Sequence, residues 1–137
     1  MTPQLDGVRA LTVRQPWAWA IVHAGKDVEN RSRRTHYRGP LLIHAGSALD
    51  RSAFEEIAAM GIDTPEAGDL ERGAVIGVVT LINCVSNSLS AWAIEGAWHW
   101  LLADPRPVDP VPSGGRLGLW SPAQDVITAV SRTATHY

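Results

Sequence analysis

Hydrophobic and polar positions fall into short blocks along the chain. Residues 10–14 alternate, Leu11 and Val13 against Thr12 and Arg14, which is the period of a half-buried strand. Gln15 and Pro16 stop it. Pro16 suits the first turn of a helix, where its missing N–H has no partner to lose. The helix predicted over 17–24 puts Trp17, Ile21 and Ala24 on one face and Trp19 with His23 on another. This sends Trp17 to the core and Trp19 to a rim. Gly25 ends the helix as a left-handed cap. Residues 28–31 predict a second strand, 32–36 a polar loop, and Tyr37-Arg-Gly-Pro40 a turn. Residues 41–44 predict a third strand. A helix over 48–60 follows, capped by Ser47 or Asp50 or by a Ser52–Glu55 capping box, with Phe54, Ile57 and Ala58 as its apolar stripe. Residues 62–72 are acidic and loop-like.

Residues 73–85 carry the strongest strand signal, mostly branched, with Gly77 marking a bulge or a close approach. A polar loop leaves it, with Asn83 and Ser86 as candidate recognition groups. The stretch 97–101 predicts a strand. Four prolines in 104–115 predict a stiff extended connection, and Gly114, Gly115 and Gly118 read as turn and packing glycines. Residues 116–120 predict a last strand, Pro122 opens a helix or strand over 126–130, and 133–137 read as a frayed end. Short strands that do not alternate with long helices exclude a doubly wound sheet. The expected class is α+β, mainly β: a small barrel flanked by two or three helices. Trp17, Trp98 and Trp120 are its candidate core tryptophans.

Composition narrows the class. The 137 residues are 45% apolar and 19% charged, a globular balance sized for one domain, with a core over about 9–121. The single cysteine, Cys84, excludes an internal disulfide and reads as a buried, inert thiol. No apolar run approaches the roughly 20 residues that span a membrane. The opening residues lack a signal-peptide pattern, so the expected location is the cytoplasm.

Charge is polarised. Residues 9–44 hold seven basic side chains against two acids, and 45–72 hold two against seven. A polyanion responds to such a local field rather than to the net charge of -2. Eleven of the twelve basic residues are arginine, which suits bidentate phosphate contacts and stacking; Lys26 is the lone lysine. The chain has no phosphate-binding glycine loop, nucleophile elbow or His-x-x-x-His pair, and its five histidines are scattered, so no metal site is expected. Around 25–31, an extended chain turns Glu29 and Arg31 to one face, with Lys26 just before them. These three suit phosphate binding, oxyanion stabilisation or proton transfer; a plain ion pair is the alternative. Trp19 and Tyr37 are candidates for stacking on a base. His44, at a strand end, either faces the cleft or bonds a neighbour.

The blocks Leu11-Thr-Val-Arg-Gln-Pro-Trp-Ala18, Gly25-Lys-Asp-Val-Glu-Asn-Arg-Ser32 and Tyr37-Arg-Gly-Pro-Leu-Leu-Ile-His-Ala45 resemble the ASCH domain, the activating-signal-cointegrator homology domain of the PUA-like superfamily. The later segments 73–79, 98–102 and 115–120 agree with it. The resemblance implies a PUA-like β-barrel with a cleft beside the first helix, and binding of RNA or modified nucleosides. Some relatives are hydrolases: one branch deacetylates N4-acetylcytidine with a lysine, a threonine and a distant glutamate, and one member is a ribonuclease. Lys26 matches that lysine, Glu29 stands at a threonine position, and 73–85 holds no glutamate, Asn83 being the nearest polar candidate. This departure points toward the branch found in a transcription coactivator, for which nucleic-acid binding is expected.

The leading expectation is therefore a binding domain for single-stranded RNA or a nucleotide, with DNA as the second partner and no membrane. Arg14, Arg31, Arg33, Arg34 and Arg38 would hold phosphates, Trp19 and Tyr37 would stack, and Lys26, Glu29 and His44 would complete the site. The alternative is a hydrolase acting on RNA or N4-acetylcytidine, with Lys26 and Glu29 catalytic. It needs no cofactor, except that a nuclease could use a divalent metal. A protein-interaction module is the third reading.

Overall fold

The computed structural model describes residues 5–134. Six strands form one mixed sheet in the order β2-β5-β4-β3-β1-β6. They are β1 (Arg9–Gln15), β2 (Val28–Arg31), β3 (Gly39–Leu49), β4 (Ala74–Val85), β5 (Trp98–Pro112) and β6 (Leu119–Trp120). The helices are α1 (Trp17–His23), α2 (Arg51–Ala59) and α3 (Gln124–Ala134), with a 3-10 turn at Ala67–Asp69. β1 and β3 are parallel and every other pairing is antiparallel. The sheet curls into a half-barrel whose edge strands are β2 and β6. No helix among the described residues is long and apolar enough to cross a membrane.

Both faces of the sheet are covered, which explains why β3 and β4 read as continuous apolar runs. One core joins Leu11, Leu41, Ile43, Val79 and Leu81 to Ala18, Ile21 and Val22 of α1. The other joins Ala10, Leu42, Val75 and Val78 to Trp120 and to Val126 and Val130 of α3. The i, i+4 pair on α3 settles its segment as a helix. On β4, Ile76 belongs to the α1 core and a Cβ on Gly77 would also point at α1, 2.6 Å from Val22 Cγ2. Two successive residues on one side mark a bulge, and the β4–β5 register shifts there. Gly77 thus serves as both bulge and close approach.

Several boundaries differ from the pattern. The proline-rich stretch belongs to β5 itself. β2 covers only Trp98 to Leu101. Beyond that point β5 is a free edge, where proline's missing N–H removes no ladder bond. β6 is shorter than predicted. β3 runs on to Leu49, so α2 starts late; no side chain caps it, because Asp50 is engaged elsewhere. Ala53 and Ile57 are its buried residues, whereas Ala58 is exposed. Cys84 is half-buried rather than buried. α3 includes Thr133 and Ala134; the rest of the predicted frayed end, and His136, lie outside the described residues.

Candidate functional site

The site grows from the end of β1. Gln15 is buried; its Oε1 accepts the Trp19 amide at 2.8 Å and its Nε2 donates to the Glu71 carbonyl, fixing the start of α1. α1 has only seven residues, and Gly25, at φ +75°, turns the chain back at its end. That turn delivers Lys26 inward. Its side chain is 4% exposed; the ammonium donates to the Val28 carbonyl and to Glu29 Oε1 at 3.2 Å, and lies 5.6 Å from the centre of the Trp17 ring. Glu29, on β2, is 9% exposed at the side chain. Its Oε2 accepts from Arg31 Nε at 2.9 Å, and Arg31 Nη2 donates to the Thr12 carbonyl at 3.0 Å. One carboxylate therefore clamps two cations and ties β2 to β1.

Trp17 and Asn30 extend the clamp. Trp17, predicted for the core, packs against it but stays half-buried, and its Nε1 donates to Asp50 Oδ2 at 2.8 Å. That bond first, and one from Ser52 Oγ second, hold the Asp50 carboxyl below the usual carboxylate range despite partial burial. Asn30 donates to the Trp92 carbonyl and accepts the Ile94 amide, both at 2.9 Å. It thereby fastens the 86–97 loop beside the clamp. His99, buried under that loop, accepts the Ser88 amide on Nδ1 at 3.1 Å, so Nε2 carries the proton donated to the Ile94 carbonyl at 2.7 Å.

Two adjoining cavities flank the clamp and share Trp17, Glu29 and Asn30 as their dividing wall. The first, of about 510 Å³, is lined by Arg14, Arg31 and Arg116, with Thr12, Ser32 and Ser47. The second, of about 540 Å³, is lined by Lys26, Asp50, Glu56, Met60, Trp92 and Ile94. Both fall in the size range of small-ligand sites, about 300–1,000 Å³.

Of the expected site residues, the cleft brings together Arg14, Lys26, Glu29 and Arg31. The others lie apart from it. Trp19 sits against His23, ring centres 6.4 Å apart, and lines neither cavity. The 32–38 loop carries Arg33, Arg34 and Arg38 away as exposed side chains. Arg34 lies 5.6 Å from the centre of half-buried Trp98, and Arg38 donates to the Thr35 and Tyr37 carbonyls. Tyr37 bonds the Pro40 carbonyl and packs against the α1 core; burial pushes its hydroxyl pKa up, against the lowering pull of Arg9. His44 is buried and both ring nitrogens are taken. Nε2 meets the Ser113 carbonyl at 2.7 Å and so carries the proton; Nδ1 accepts from Thr12 Oγ1 at 3.1 Å. Asn83 accepts the Cys84 amide, and Ser86 is exposed, both outside the cleft.

Arg116, Trp92, Asn30 and Asp50 are the members that sequence reasoning missed. Arg116 arrives through topology: the antiparallel pairing of Leu11 with Leu119 leads the chain before β6 back past Arg14. The one local signal was an arginine set among Gly114, Gly115 and Gly118. Among the described residues, no three His, Cys, Asp or Glu side chains gather as a metal site would require.

This architecture has relatives. The chain is 35% identical over 89 residues to activating signal cointegrator 1 of Homo sapiens, and 37% identical over 87 residues to the Mus musculus protein. Each match covers 59% of this chain and 15% of the relative, so the chain matches only a small part of those proteins. The crystal structure of ASCH from Zymomonas mobilis superposes with a TM-score of 0.56 at 17% identity, covering 89% of this chain and 92% of that one. A point mutant of the same protein gives 0.57 at 17% identity, covering 88% and 94%. The family model described as the ASCH domain matches residues 11–112, from the strand that carries Arg14 through the whole of the Lys26–Glu29–Arg31 clamp to the end of β5, and the chain belongs to the ASCH domain family.

Proposed function

We infer that this chain binds single-stranded nucleic acid, RNA foremost, or a nucleotide, in the cleft beside α1. The observation that carries the reading is the convergence of Arg14, Arg31 and Arg116, from three separate segments, on one cavity wall. Arg31 is held in place by Glu29 and the Thr12 carbonyl, so little rotamer entropy remains to be lost when it meets a phosphate. Trp17, fixed by Asp50, offers an aromatic wall at the divide. Arg33, Arg34 and Arg38 lie on the loop leaving Ser32, where a longer strand could follow.

Lys26 and Glu29 fit a holding role better than turnover. The ammonium is engaged by the Val28 carbonyl and by Glu29. Each Glu29 oxygen accepts from a cation, so the carboxylate holds Lys26 and Arg31 in place. The test is fluorescence anisotropy with a labelled single-stranded RNA, its DNA equivalent and an RNA duplex, followed by mass spectrometry of the recovered RNA. Binding of single strands with the RNA mass unchanged is expected. A cleaved or deacylated product that vanishes with Lys26→Ala would replace this reading with the hydrolase.

A further inference from the structure

The two compartments carry opposite charge. The first presents Arg14, Arg31 and Arg116, of which Arg31 is paired with Glu29 on the dividing wall. The second presents the carboxylates of Asp50 and Glu56, while its Lys26 and Glu29 are paired with each other and, among the described residues, no further base lines it. A ligand spanning both must be anionic at one end and rich in hydrogen-bond donors at the other. Acceptors dominate the second compartment. Glu56 is exposed and its carboxylate has no hydrogen-bond or ion-pair partner among the described residues. Asp50 accepts from Trp17 on one oxygen and from Ser52 on the other, and the Ala53 amide also draws on its carboxylate, so less accepting capacity is left there than on Glu56. Trp17 and Trp92 supply aromatic surface for a planar group.

Resting on the binding role inferred above, we propose that the cleft takes its nucleotide in one direction, phosphate against Arg14, Arg31 and Arg116, and base between Trp17 and Trp92, and that it selects guanine. A carboxylate accepts best from two parallel N–H groups. The Watson–Crick edge of guanine offers such a pair in N1–H and the N2 amine. Cytosine and adenine place one amine beside a lone pair, which a carboxylate repels. Uracil sets a single N–H between two carbonyl oxygens. The neighbouring acids thus reject uracil as actively as they accept guanine.

The test is competition by the 5′-monophosphates of guanosine, inosine, cytidine and uridine against a labelled single-stranded RNA on the whole chain. Inosine lacks only the N2 amine. Guanosine monophosphate should compete about tenfold better than inosine monophosphate, the weight of one charge-assisted hydrogen bond, and better still than uridine monophosphate. Glu56→Ala, an exposed change on α2, should erase the guanosine–inosine difference. Arg116→Ala should weaken all four alike and keep their order. Equal competition by all four, or a preference that survives Glu56→Ala while the RNA still binds, would overturn the guanine assignment and leave the binding role standing. Failure of the RNA itself to bind at low salt would overturn both.

Discussion

Replacing Glu29 by glutamine isolates the electrostatics of the clamp, because it keeps the shape and the two side-chain methylenes. It leaves the Lys26 ammonium, 4% exposed, without its counter-charge, and offers amide N–H groups to two cations. Two charge-assisted bonds, at 3.2 and 2.9 Å, are lost together. Breaking a buried pair from one side costs about 3–5 kcal/mol, a large share of the roughly 5–15 kcal/mol that holds a domain folded. Lys26→Met is milder. Glu29 keeps Arg31, whose side chain is 28% exposed and in reach of water, so about 1–3 kcal/mol is expected. The double variant Lys26→Met with Glu29→Gln removes the stranded ammonium and should be more stable than Glu29→Gln alone, with about 1–3 kcal/mol of coupling. Urea unfolding followed by tryptophan fluorescence reads all three, and in a thermal melt the Glu29→Gln midpoint should fall by about 10–17 °C for a chain of this length. Additive effects, or a Glu29→Gln loss under about 1 kcal/mol, would refute the reasoning that two mutually dependent buried charges shape the cleft.

Three other perturbations follow from the same contacts. Gly77→Ala should destabilise by about 1–3 kcal/mol in urea unfolding, because the new Cβ would lie 2.6 Å from Val22 Cγ2 and 3.0 Å from the Arg106 carbonyl, and adding Val22→Ala should recover part of the loss. The Asp50 carboxyl titrates below the usual carboxylate range in the folded chain, so its contribution is present at neutral pH and is lost as pH falls through that lowered value; Trp17→Phe should move the folded titration, read by carboxyl NMR, back upward. His99→Leu removes the acceptor of the Ser88 amide and the donor to the Ile94 carbonyl, so hydrogen exchange should speed up across 86–97 and RNA affinity should drop with the Trp92 wall.

What could be read from the sequence was what neighbours in the chain decide. Gly25 had to allow a left-handed turn, and it does. Period-2 spacing put Glu29 and Arg31 on one face, and they meet at 2.9 Å. What could not be read depends on distant partners. Trp17 shares a helical face with Ile21 and packs against the core as that predicts; what the spacing does not show is its hydrogen bond to Asp50, 33 residues on, and its place in the cleft wall. Trp19 had the rim-like spacing, yet its rim lies beside His23, away from the arginines. The prolines at 105, 107, 110 and 112 argued against a strand only while it was unknown that β2 stops opposite Trp98 and Leu101 and leaves the rest an edge. His44 ends in a chain of bonds from Trp120 through Thr12 to Ser113, residues that only the folded sheet brings together.

The most direct test of the binding cleft is the salt dependence of single-stranded RNA affinity for the native chain, Arg14→Ala and Arg116→Ala. Three arginine–phosphate contacts give a log–log slope near about -2, since each neutralised phosphate of a single strand contributes roughly -0.7. Each variant should weaken binding and reduce that slope by about 0.7. Undetectable binding at low salt, or a slope that neither substitution changes, would contradict the account.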